Sequence, residues 1–139
     1  MSNFPLKALA LLAGVALVAN GCGGSSGNRT LQSLSISPAT ASASGTPVQF
    51  TATGHWSQPP IAVTPQSATW GACTTAEVPT TEVTVSSAGV ATCGSTAKGT
   101  YDVFAEYQPD NVTGTMCNAI NACGGGCGLI STTAQLKCP

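Results

Sequence analysis

Charge is what this sequence lacks most. Its 139 residues include 4 Lys+Arg and 5 Asp+Glu, 6% in all, with a formal net charge of −1. Soluble globular domains usually carry about 25% charged residues, so the surface expected here is neutral and rich in hydroxyls. Without a basic cluster there is no electrostatic footprint for nucleic acid, and none is expected as a partner. Histidine occurs once, at His55, which argues against Cys/His zinc sites and against a Ser/His/Asp triad, since no acid neighbours it in sequence. The thioredoxin-type C-x-x-C spacing is missing too. No segment carries a helical apolar stripe. Low charge with 16 Gly and 9 Pro could suggest disorder, but disordered chains favour high net charge and few β-branched residues. Here Val and Thr recur in alternating runs, the signature of strands.

The N-terminus is different in kind. Lys7 precedes an apolar run over residues 8–19, "ALALLAGVALVA", followed by Asn20, Gly21 and Cys22. At about 1.5 Å per residue the run spans roughly 18 Å as a helix, short of the about 30 Å of a bilayer core. It reads as the h-region of a secretory signal. With its small residue before cysteine, the segment resembles a bacterial lipoprotein signal peptide. That resemblance implies a cut after residue 21, a lipid thioether on Cys22, and attachment to the membrane through the N-terminal lipid. Gly23, where an acidic residue would retain the protein at the inner membrane, favours the outer membrane by the same resemblance. Residues 23–28, "GGSSGN", form a flexible tether.

Beyond it the chain alternates. Leu31, Leu34 and Ile36 fall near a period of two before Pro38. Val48, Phe50 and Ala52 alternate with Gln49, Thr51 and Thr53. Ala68 and Trp70 share a face. Residues 81–94 read as a hairpin turning at Ala88-Gly89. Tyr101, Val103, Ala105 and Tyr107 point inward, with Asp102 and Glu106 outward, and residues 129–137 make a last strand. Seven short strands separated by turn residues predict an all-β, antiparallel sandwich of the Ig-like kind, with Trp70 as its core aromatic and Tyr101 as a tyrosine corner.

Several motifs coincide at this point. Leu31, Leu34, Ile36 and Pro38 fit an L-x-x-[IL]-x-[VI]-x-P opening. Gly45, Val48, Gln49, Phe50, Thr51, Ala52, Thr53 and Gly54 fit G-x-x-V-Q-F-T-A-T-G, with Trp56-Ser57 after it. Val63, Thr64 and Trp70 follow, then Val85, Ser86, Ser87, Gly89, Val90, Ala91 and Thr92. Over residues 31–107 the chain resembles the group 2 bacterial Ig-like domains. Two features depart from that pattern: a Cys/Gly-rich insert before the last strand, and cysteines at 73 and 93 where Ser or Gly is usual. The resemblance implies a non-catalytic module such as those found in cell-surface adhesins. The organisation expected is a signal peptide at 1–21, a lipidated Cys22 and tether at 22–30, and an Ig-like domain at 31–139 carrying a loop at 108–128.

Setting Cys22 aside, 6 of the 7 cysteines remain: Cys73, Cys93, Cys117, Cys123, Cys127 and Cys138. An even set in a small exported domain is a disulfide framework. Six cysteines permit 15 connectivities; with Cys73 and Cys93 at strand ends in the domain body, the pairing expected is Cys73–Cys93, the other four bonding among themselves. No metal and no cofactor are expected. The loop at 108–128 is long enough to suggest recognition, though it contains no aromatic anchor and reads more simply as an insert tied down by disulfides.

Other combinations are weak. Asp102, Glu106 and Asp110 read as solvated surface rather than a Ca2+ site. Glu77 and Glu82 lack a cleft that would make them glycosidase carboxylates, and a small hydrolase has no assembled motif. Asn28-Arg29-Thr30 and Asn111-Val112-Thr113 match a glycosylation sequon by coincidence. The function expected is therefore a non-enzymatic, lipid-anchored structural or adhesion-type module of the cell envelope. The alternatives are a lipoprotein binding a surface protein or glycan through the 108–128 loop, and self-association through the edge strand at 31–37.

Overall fold

The computed structural model describes residues 28–108, 123 and 129–139. The expected signal peptide at 1–21, Cys22, Asp110, Asn111, Cys117, Cys127 and most of the expected loop at 108–128 lie outside the described residues. Among the described residues there are ten strands: β1 (Leu31–Ser37), β2 (Thr40–Ser42), β3 (Val48–Gln49), β4 (Thr51–Trp56), β5 (Ala62–Val63), β6 (Thr69–Thr74), β7 (Val83–Val85), β8 (Val90–Cys93), β9 (Gly99–Tyr107) and β10 (Ile130–Cys138). No helix occurs among the described residues.

Residues 48–56 act as one strand interrupted at Phe50, whose N–H donates to Gly89 O at 2.9 Å. Their lower part pairs with β8 and their upper part with β1 and, on the other side, β5. One layer therefore runs β1, β3/β4, β8, β7. The other runs β2, β10, β9, β6. This is the strand arrangement of an Ig-like sandwich, with the first strand split so that β2 joins β10 in parallel.

The alternation read from sequence explains most of this. In β1 the three-residue step from Leu31 to Leu34 breaks the period of two, and a register shift between Leu31 and Ser33 absorbs it, so that both leucines are buried. Phe50, Val103 and Leu136 are the largest fully buried side chains, joined by Ala52, Ala91 and Tyr101. Trp70 was the expected core aromatic; that role belongs to Phe50, and the indole is half-buried, packed against the rim of the core. The hairpin turns at Gly89, whose φ of +79° suits glycine and whose missing Cβ would lie 2.4 Å from Phe50 O.

Tyr101 does form the expected corner. Its hydroxyl accepts from Lys98 N–H at 3.2 Å and donates to Glu82 Oε2 at 2.5 Å. That bond to Glu82, with burial behind it, raises the phenol's pKa above its ordinary value.

Two expectations fail on β9. The alternation expects Glu106 and Asp102 in solvent, yet Glu106 is only 4% exposed and Asp102 is half-buried. Phe104, between them, is also buried. The side of the β6–β9–β10 sheet turned away from the core is thus itself covered around β9.

Candidate functional site

The structure replaces the expected Cys73–Cys93 pairing with two other bridges. Cys73 bonds Cys123, with Cα atoms 5.7 Å apart, and Cys93 bonds Cys138 at 5.9 Å. Strand parity gives the reason. Ala72 packs into the core, so its neighbour Cys73 points away from it, beside Phe104. Cys93 lies two residues from the buried Ala91 on β8 and packs against the core, where Cys138 is buried. Cys73 and Cys93 therefore face opposite sides of the β6 sheet and cannot meet. The signal was present: if Trp70 faces the interior, residue 73 cannot. Cys117 and Cys127, also expected to pair within the last four, lie outside the described residues.

The Cys93–Cys138 bridge ties one layer of the sandwich to the other. The Cys73–Cys123 bridge fixes the β9–β10 connection to the outer side of β6. There the register aligns Gly71 with Phe104 and Thr69 with Glu106. Phe104 lies across Gly71 so closely that a Cβ there would be 2.2 Å from the ring's Cζ. Glu106 Oε1 is buried without a hydrogen-bond partner. Burial raises this carboxyl's pKa above its usual value, because its charged form loses water. Sequence periodicity assigned Glu106 to the correct side of the strand and could not tell what covers that side.

A second cluster gathers around Trp56 at the start of the described chain. The Arg29 guanidinium sits 4.2 Å from the Trp56 ring centroid, and its Nε donates to Gln58 O at 3.1 Å. Trp56 Nε1 donates to Oε1 of the buried Gln66 at 3.2 Å. Tyr107 meets the indole in a T-shaped arrangement, 5.9 Å between centroids. Thr30 N–H donates to Ser57 Oγ at 3.0 Å, and Ser57 N–H returns to Thr30 O at 2.9 Å. Arg29 enters the sequence pattern only as the middle of the Asn28-Arg29-Thr30 sequon, and Gln66 belongs to no motif, so nothing in the sequence marks either for this cluster.

A third feature is a concavity of about 420 Å³ beside Trp70, between strand 48–56 and the start of β6, closed below by the Ser87-Ala88 turn. It exists because β8 stops beside Phe50, while β5 runs along only the upper part of β4.

The remaining sequence candidates are dispersed. His55 Nε2 lies 3.2 Å from Ser35 Oγ across the β1–β4 pair. Glu82 serves the Tyr101 hydroxyl, and Glu77 occupies an exposed turn. Asn28, Arg29 and Thr30 are exposed. Among the described residues, no three His, Cys, Asp or Glu side chains converge as they would on a metal ion. No protein-family model matches the chain, and no curated protein matches it either.

Proposed function

We propose that this chain is a lipid-anchored, extracytoplasmic module of the group 2 bacterial Ig-like kind, non-enzymatic, serving as a structural or adhesion-type element of the cell envelope. The observation that carries the reading is the pair of disulfides built into the sandwich, one joining its layers and one fastening the β9–β10 connection. Such bridges form and persist in oxidising compartments, which agrees with an export signal ahead of the domain. The docking of Arg29 and Thr30 adds to it. With these residues held by Trp56, Gln58 and Ser57, a tether over residues 23–28 would fix which end of the domain lies nearest the bilayer.

Stable anchoring requires more than one acyl chain, because a single chain binds marginally. Cys22→Ala therefore removes the attachment. Fractionation of cells expressing the variant is expected to show released protein or an uncleaved precursor. Mature-length Cys22→Ala protein that still sediments with membranes would defeat the proposal.

A further inference from the structure

We propose that the concavity beside Trp70 is a binding site for an uncharged sugar residue. Its volume, about 420 Å³, falls in the range of pockets that hold small ligands, roughly 300–1,000 Å³. None of the residues lining it carries charge, so it offers no counter-ion to a phosphate, a carboxylate or an amine. What it offers is one half-buried indole among amides and hydroxyls. The indole is fixed in place, since it packs on the core and lies against the bare Gly89, where a Cβ would come within 3.0 Å of its Cζ2. A rigid aromatic surface loses little entropy on contact, and it suits the C–H face of a sugar ring.

Around the indole stand Gln49, Gln66, Ser67 and Ser87. Gln49 Nε2 donates to Phe50 O at 2.6 Å and to Ala88 O at 2.8 Å. This orients the amide and leaves its carbonyl oxygen to accept from a ligand hydroxyl. Ser67 and Ser87 are exposed and supply groups that both donate and accept.

The backbone argues against the other neutral ligand, an extended peptide. Strand addition needs free main-chain donors and acceptors along an edge. Here Phe50 N–H is bonded to Gly89 O, and Ala52 O accepts from Gln66 N–H at 2.8 Å. Recognition must therefore run through side chains, as it does for a sugar. The proposal holds whether or not the chain carries a lipid.

The test uses the full chain, isotope-labelled and held in a detergent without a sugar headgroup. Nuclear magnetic resonance follows the indole N–H signals of Trp70 and Trp56 during titration with maltotriose, cellotriose and triacetylchitotriose, with a sulfated trisaccharide as the charged control. Saturable movement of the Trp70 signal with at least one neutral trisaccharide, and not with the sulfated one, is expected. Ala88→Phe adds a ring at an exposed turn position, leaving the core unchanged and filling the concavity, and is expected to weaken binding at least about tenfold. The proposal is overturned if no neutral trisaccharide gives saturable shifts, if the sulfated sugar binds equally, or if folded Ala88→Phe binds as well as the parent.

Discussion

Glu106 is a buried carboxylate with an unpartnered oxygen, which is costly when ionised. Its pKa is raised by desolvation, so the folded chain holds this proton more tightly than the unfolded chain does. The sign follows: its stabilising share is intact below the unfolded carboxyl value of about 4.3 and is lost as pH rises through the higher folded value. Glu106→Gln keeps the shape and removes the ionisation. Thermal unfolding should show the variant more stable than the parent near about pH 7, with the gain vanishing near about pH 4. A constant difference across that range would mean that the group's charge is irrelevant to stability. Sequence could not have led here. Period-two reasoning sorts side chains by face, and Glu106 lies on the face expected. Whether a face is wet depends on what folds over it, which strand periodicity does not encode.

Elements were more legible than their fastenings. Strand 48–56, the hairpin at Gly89 and the corner at Tyr101 were readable because each rests on a local rule: alternation, a positive-φ turn, or a hydroxyl reaching back three residues. The bridges depend on side-chain direction across two layers, and Cys73 shows the cost of ignoring parity. Chain-entropy reasoning gives closed loops of this size about 4 kcal/mol of stabilisation each, the sequence separations being 50 and 45 residues. The two bridges should nevertheless differ in kind. Cys93→Ser with Cys138→Ser uncouples the layers and should lower the unfolding midpoint of the whole domain. Cys73→Ser with Cys123→Ser should leave the Phe50 core cooperative while quickening amide exchange around Phe104. Hydrogen exchange read against thermal melts separates the cases, and equal loss of core protection in both variants would refute the distinction.

Across the whole molecule, the two layers and the two bridges make a body whose cohesion is set by few bonds. The bridges overlap along the chain: one spans residues 73–123, the other 93–138. A peptide bond cut anywhere between 73 and 138 is therefore straddled by at least one bridge, and any cut between 93 and 123 by both. Limited proteolysis within that stretch should yield one band on a non-reducing gel and two after reduction, whereas a lower band before reduction would contradict the overlap. The chain thus behaves like a doubly hooped barrel, in which a broken stave stays in place. A chain clipped within that stretch sheds nothing until its bridges are reduced.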